Sequence, residues 1–468
     1  MNRNSNILMA LLVMATVVAS CGGTKGDSKQ PLTRFTGAAG EVKLITLDPG
    51  HFHAALIQKN MYSEVSPEVY VYAPEGSDLD QHLARIDGYN KRADSPTAWN
   101  EVVYKGSGYL EKMLDERHGN VVVLAGNNRI KTDYIQKSIE AGFNVLSDKP
   151  MVISADQFPK LEESFKRAAE KGVLLYDIMT ERYEITTLLQ KEFSQNSALF
   201  GNLLPGTAEL PAVEKISVHH FYKNVSGNPL VRPAWFFDVN QQGEGIVDVT
   251  THLVDLVQWG CFPGQVLEKS DISMLSAKRW PTVFTPEEFR SVTLQEYYPG
   301  YLQHDVKDGN LNVFANGEMI YKIKGHVAKV VVEWRYKAPD GTGDTHYSIM
   351  RGTNCSLEIR QGEAEKYSPT LYLTAAQGAD ITLIESELDK AVKNSPNSGL
   401  GFEKSGEGCW KIIVPDSYKV GHEAHFAQVT ARYLEYLRAG KLPEWEVPNM
   451  IVKYYTTTEA LKLAKAAQ

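Results

Sequence analysis

Residues 121–150 read VVVLAGNNRIKTDYIQKSIEAGFNVLSDKP, and the order of residue types in this stretch decides the fold. Val121 to Ala125 is a β-branched apolar run closed by Gly126-Asn127-Asn128, which predicts a strand buried on both faces and then a turn. Tyr134, Ile135 and Ile139 recur at helical spacing and share one face, and Gly142 marks the helix end. Asn144-Val145-Leu146 is a second short strand, stopped by Asp148-Lys149-Pro150. Strand, helix and strand in thirty residues make a right-handed crossover, the unit of a parallel sheet.

The same alternation extends outward. Val42 to Leu47 and Val69 to Tyr72 read as earlier strands, with a helix from near Phe52 between them. A helix over 155–171 and a strand from Val173 to Tyr176 follow. The expected fold is an α/β Rossmann-like doubly wound parallel sheet over residues 40–178, with ligands beyond the carboxyl ends of its strands. The loops at 48–53, 74–78, 126–129 and 147–150 share that edge. Longer strand-like runs then appear (Ile216 to Tyr222, Val330 to Tyr336, His346 to Met350, Ser356 to Ile359), predicting an α+β domain with a large mixed or antiparallel sheet over 179–468. Helices are expected near 246–259, 423–438 and 450–466, and residues 262–345 and 362–420 as sheet with long loops.

Composition fits this picture. The 468 residues are 43% hydrophobic and 23% charged, ordinary for globular domains and wrong for a disordered or membrane-embedded chain. A net charge of −8 gives no positive field for nucleic acid. Ile7 to Ala19 is apolar behind Arg3, too short to span a bilayer comfortably, and ends in Val18-Ala19-Ser20-Cys21. This resembles a bacterial lipobox: a signal peptide at 1–20, lipid on Cys21, and a flexible tether over 21–39. The membrane is then met only through that anchor. The other three Cys, at 261, 355 and 409, leave at least one thiol unpaired.

Leu124 to Pro150 resembles the Rossmann domain of the Gfo/Idh/MocA oxidoreductases. Asn128 falls on the family's Pro-Asn loop and Asp148-Lys149-Pro150 on its Glu-Lys-Pro. Arg232-Pro233-Ala234-Trp235 and GEGIVDVTTHLVDLVQW (243–259) are similar to its RPxW and GGGxxxDxxxHxxDxxxW segments. Thr180 to Tyr183, Arg351-Gly352-Thr353 and Ser356-Leu357-Glu358 match further motifs. The resemblance implies an NAD-dependent enzyme acting on a secondary hydroxyl of a sugar, glycoside or polyol, and a large second sheet that packs against a copy of itself, hence a homo-oligomer.

The chemistry of the residues agrees. Oxidising a secondary alcohol needs a base for the hydroxyl proton while hydride leaves the carbon. Asp248 and His252, at i and i+4, share a helix face and can hydrogen-bond or jointly grip a substrate. An imidazole exchanges protons near neutrality, and the Lys149 ammonium can stabilise alkoxide character. The expected catalytic set is therefore Lys149, Asp248 and His252. Arg182, Tyr183, Tyr222 and Trp235 are candidates for the substrate wall, with Phe236 beside them.

The dinucleotide fingerprint is altered. Anchored on His53, the family's three loop glycines fall at Ile45, Leu47 and Gly50, so two are missing. The expected cofactor contacts are Asp48, Gly50, His51, Phe52, His53, Glu75, Asn127, Asn128 and Asp148, with acidic Glu75 on a ribose hydroxyl favouring NAD over NADP. His51-x-His53, His219-His220 and His422-x-x-His425 with Glu423 are of metal-ligand type, but three ligands to one ion cannot be named and no metal is assigned. Two other readings stay open: a redox-neutral glycosidase or lyase using resident NAD or a metal, and a sugar-binding lipoprotein without catalysis, which the missing glycines favour.

Overall fold

The computed structural model describes residues 35–225, 228–340 and 342–467. Residues 1–20, read from the sequence as a signal peptide, and Cys21 lie outside the described residues.

The first half is built as β1 (Leu44–Leu47), α1 (His53–Leu56), β2 (Glu68–Ala73), α2 (Ser77–Lys91), β3 (Asn100–Lys105), α3 (Tyr109–Glu116), β4 (Val121–Leu124), α4 (Lys131–Glu140), β5 (Asn144–Asp148), α5 (Phe158–Lys171) and β6 (Leu175–Ile178). The six strands form one parallel sheet in the order β3-β2-β1-β4-β5-β6. Every residue of β1, β4, β5 and β6 is buried, as a parallel strand covered on both faces requires. β3 lies at the edge, and its exposed, partly charged sequence NEVVYK carries no buried-strand signal. α2, β3 and α3 were accordingly not expected from the sequence. The last strand begins at Leu175 rather than Val173, because Gly172 ends α5 in a left-handed turn (φ +64°) and Val173 belongs to that cap.

The second half comprises α6 (Ile185–Ser194), β7 (Val213–Tyr222), the short β8 (Asn224–Val225) and β9 (Asn228–Pro229), α7 (Val239–Gln242), α8 (Thr250–Cys261), β10 (Ile272–Phe284), α9 (Pro286–Thr293), β11 (Val306–Lys307), β12 (Asn310–Ile323), β13 (His326–Lys337), β14 (Thr345–Arg351), β15 (Cys355–Arg360), β16 (Thr370–Ala375), α10 (Ile381–Asn394), β17 (Gly401–Gly406), β18 (Cys409–Ile413), α11 (His422–Ala439) and α12 (Glu446–Ala466). Its large sheet runs β10-β12-β13-β7-β14-β15-β16-β18-β17, with β11 beside β12. Only β7 and β13 pair in parallel, so the sheet is mixed as expected. Helices α9 and α10 interrupt the stretches read as sheet and loops. α8 starts at Thr250, four residues later than the sequence suggests, because residues 246–249 form a turn.

The two halves share their last helices. Phe426, Val429 and Tyr433 of α11 complete the hydrophobic core of the parallel sheet. α12 presents Met450 and Tyr454 to that core and Val452, Leu461 and Ala464 to the core of the mixed sheet. A buried charge network joins the same elements. Arg182 grips Asp255 through two bonds of 2.6 and 2.7 Å and reaches Glu446 at 2.7 Å. Lys453 lies 2.6 Å from Asp177 and 2.9 Å from Asp255. Cys261, Cys355 and Cys409 are free thiols.

Candidate functional site

The carboxyl edge of the parallel sheet faces a cavity of about 550 Å³, within the range that holds small-molecule ligands. β5 ends at Asp148 and delivers Lys149 to its wall, the Lys149–Pro150 peptide being cis. Opposite, the Gly243-Glu244-Gly245 turn lies against β12. A Cβ on Gly245 would sit 1.8 Å from the Ala315 carbonyl oxygen, so only glycine allows this approach. The turn fixes Asp248 and the start of α8, which carries His252.

Lys149 Nζ donates to Asp248 Oδ1 at 2.6 Å, and Gln242 Nε2 donates to Asp248 Oδ2 at 3.1 Å. Both oxygens of Asp248 are thus engaged, and neither bond goes to His252. Burial, reinforced by the Lys149 charge, lowers the His252 pKa to about 3. The sequence expectation of an imidazole titrating near neutrality is corrected here: the ring is neutral at pH 7. Its Nδ1 is buried without a hydrogen-bond partner.

Below this group lie His51 and His53, also on the cavity wall. His53 Nδ1 is 2.9 Å from Asp148 Oδ2 and His51 Nδ1 is 3.8 Å from the same oxygen. Burial lowers the pKa of His53 to about 4 and that of His51 well below its usual range. Burial alone would raise Asp148, but His53 and Lys131 hold it below the normal carboxylate range. Across the cavity His422 Nδ1 lies 3.3 Å from Glu181 Oε1. His346, His425, Glu184, Arg232, His219 and Asp344 are also among the polar lining, and Phe52, Phe236 and Trp334 supply flat apolar surface. Glu181 lay in the Thr180–Tyr183 motif without an assigned role, and Glu184, His346 and Trp334 lay outside every motif, since the loops and strands that carry them meet only in the fold.

Four expected substrate contacts do not reach this cavity. Arg182 is consumed by the buried network with Asp255 and Glu446. Tyr183 packs against the core of the parallel sheet, and Tyr222 against Tyr336 beside a separate aromatic cluster that includes Phe221, Phe237 and Phe284. Trp235 turns away and donates Nε1 to Asp78 at 2.7 Å. Arg232 of the same motif and Phe236, which follows it, do line the wall. Of the remaining histidines, His219 and His220 both approach Asp344, and Glu423 pairs with Lys59 rather than with His422 or His425.

The dinucleotide loop is also corrected. Ile45 and Leu47 lie inside β1, so the loop starts at Asp48, whose φ of +48° is the conformation glycine adopts freely. Asp48 accepts a bond from Tyr134 at 2.8 Å, and burial raises its pKa. Gly50 is covered: a Cβ there would meet Trp235 at 3.0 Å and Asp78 at 3.1 Å. Between Gly50, Asp78 and Arg85 the pocket is about 20 Å³, enough for a water, while His51, Phe52 and His53 open on the large cavity. The His51 amide is bonded to Ala125 O and the His53 amide to His51 Nδ1, so neither is free for a phosphate. α1 is a single turn. The expected Asn127 and Asn128 contacts go elsewhere, their side chains donating to Gln241 Oε1 and Gln242 O at 2.7 Å each. Glu75 is exposed after β2. A pyrophosphate does not fit this loop as it stands.

Comparison with known proteins supplies the family. Residues 78–177 match the model described as "Oxidoreductase family, NAD-binding Rossmann fold", and residues 189–465 match "Putative oxidoreductase C terminal domain". The first match begins beyond β1 and its loop. A crystal structure of a "putative oxidoreductase" from Parabacteroides merdae is 56% identical, covers 93% of this chain and 100% of its own, and superposes with a TM-score of 0.91. A "putative oxidoreductase" from Thermotoga maritima (14% identity, 91% and 99% coverage, TM-score 0.57) shares the fold. So does a levoglucosan dehydrogenase in complex with NADH (12% identity, 91% and 97% coverage, TM-score 0.58). No curated protein matches. The chain belongs to the Gfo/Idh/MocA family of oxidoreductases, with that family's NAD-binding Rossmann fold followed by its C-terminal domain.

Proposed function

We propose that this protein acts on a secondary hydroxyl of a sugar, glycoside or polyol, forming a keto-sugar during carbohydrate breakdown. The observation that carries the reading is the convergence of Lys149, Asp248 and His252 on one cavity with an aromatic wall. His252, on the cavity wall with Nδ1 unpartnered, is the residue placed to accept the hydroxyl proton. The Lys149 ammonium, held in place by Asp248, is the charge that stabilises the developing alkoxide. Phe52, Phe236 and Trp334 suit the apolar faces of a pyranose, and Glu181 and Glu184 can accept from its hydroxyls. The levoglucosan dehydrogenase of the same fold points to the same substrate class. NAD rather than NADP is the finer reading of the family's cofactor, resting on acidic Glu75 after β2. Because the Asp48–His53 loop does not cradle it, no step through that group is derived.

The filled loop favours a second reading, redox-neutral cleavage of a glycosidic bond at the same residues. One experiment separates them. The full-length chain is incubated with a glycoside and polyol panel, with and without NAD, and products are read by mass spectrometry. A product two hydrogens lighter supports oxidation, whereas aglycone release without reduced nicotinamide supports the second reading. Unchanged turnover by His252→Ala overturns both, and binding without turnover leaves a sugar-binding protein. In cells the reading places the chain on a bacterial envelope through lipid at Cys21, as a homo-oligomer. Loss of radiolabelled palmitate on Cys21→Ser tests the anchor.

A further inference from the structure

The loop that follows β1 carries two imidazoles beside Gly50, and both approach a carboxylate. His51 and His53 come from the loop after β1, and Asp148 is the last residue of β5. One donor atom from each lies within 4.8 Å of the others, and among the described residues this is the grouping of its kind. In a tetrahedral site with bonds of ~2.0 Å the donors stand ~3.3 Å apart. The spacings of 2.9 Å (His53–Asp148) and 3.8 Å (His51–Asp148) bracket that value.

A second observation points to a ligand. Asp148 is 4% exposed, yet its Oδ1 has no hydrogen-bond partner. A buried carboxylate oxygen normally finds a donor, and leaving one bare is costly. The nearest ammonium does not supply it: Lys131 Nζ donates to the Asp148 carbonyl oxygen at 3.1 Å and to Asn128 Oδ1 at 2.5 Å. Lys149 is held by Asp248. The other oxygen, Oδ2, is the one that faces the two rings, His53 Nδ1 at 2.9 Å and His51 Nδ1, which also accepts from the His53 amide, at 3.8 Å.

We propose that His51, His53 and Asp148 bind a first-row divalent cation of the zinc class. Two nitrogens and one carboxylate oxygen suit such ions better than magnesium or calcium, which prefer oxygen alone. Three protein ligands leave a coordination position open, and both histidines border the cavity shared with Lys149 and His252. The ion there takes a water or a substrate oxygen as its next ligand. Any proton on a donor nitrogen is released to solvent on binding. The site does not depend on which substrate or reaction the cavity serves.

The test measures metal, not turnover. The full-length chain, stripped with chelator and dialysed, is titrated with Zn²⁺ and separately with Co²⁺. The result expected is about one tightly held ion per chain by mass spectrometry, with visible ligand-field bands for Co²⁺. His51→Gln and Asp148→Asn each lose the stoichiometric ion and the bands, while His118→Gln, on the surface, keeps both. Melting of the metal-free His51→Gln chain, compared with that of the metal-free parent, separates ligand loss from misfolding. Absence of a stoichiometric ion in the parent chain, or equal retention by folded His51→Gln, overturns the proposal.

Discussion

Lys149 Nζ and Asp248 Oδ1 lie 2.6 Å apart across 99 residues of sequence, one at the end of a strand in the parallel sheet and the other in the turn that leads into α8. This ion pair joins the two halves at the cavity wall. Replacing Lys149 by Met leaves Asp248 buried beside Gln242 with half its partners gone. Turnover is expected to fall by ~10²–10⁴, the range of a lost acid, base or charge stabiliser, with the larger effect on kcat. His252→Gln should fall similarly while still binding substrate, which calorimetry with a saturating glycoside checks.

The charge network beneath the cavity is structural. Lys453 is fully buried between Asp177 and Asp255. Lys453→Met strands two carboxylates, and a loss of ~3–5 kcal/mol in urea unfolding is expected. Arg182→Met should cost a similar amount. A substrate-binding Arg182 would instead raise KM with little change in stability.

Acid should weaken the fold through histidines held neutral. Burial lowers His82, His252 and His346 to about 3 each. Above ~6.5 these rings are neutral in both folded and unfolded chains and contribute no pH dependence. Below ~6.5 the unfolded chain binds their protons and the folded chain does not, so stability falls by ~1.4 kcal/mol per pH unit per ring until the folded values are reached. Both ring nitrogens of His82 lack partners. His82→Phe is therefore expected to flatten the slope of unfolding free energy against pH by about one proton.

The covered loop predicts its own repair. Asp48→Gly removes a carboxylate from a position of φ +48°, and Trp235→Ala with Asp78→Ser uncovers Gly50. The triple variant should bind NAD at least about tenfold more tightly than the parent, a gain of ~1.4 kcal/mol, by calorimetric titration. Equal binding would show that the covering residues are not what excludes a pyrophosphate.

Much of this was readable in the sequence, and the reasons for the remainder are physical. β4 and β5 were legible because a strand buried on both faces has to be a continuous apolar run. Lys149, Asp248 and His252 were legible because each sits in a motif at fixed spacing. β3 was not, since an edge strand with exposed residues has no such run. Arg182 was expected in the substrate wall because it sits in a family motif, and Trp235 because an indole ring suits the apolar face of a pyranose. Only the fold shows that Asp255, Glu446 and Asp78 claim them first. His51 and His53 were visible as a pair, but Asp148, from a different strand, is brought to them by the order of the sheet alone.

The sharing of α12 between two cores bears on the order in which the molecule comes into being. Tyr454 and Met450 belong to a core whose strands end by Ile178, and Lys453 neutralises an aspartate on β6. During synthesis from the N-terminus, the first domain emerges with a gap in its interior and an unbalanced Asp177. That gap closes only when the final helix arrives. Until then the chain has no finished half, and a protein stopped short of residue 446 is expected to be handled by the cell as unfolded.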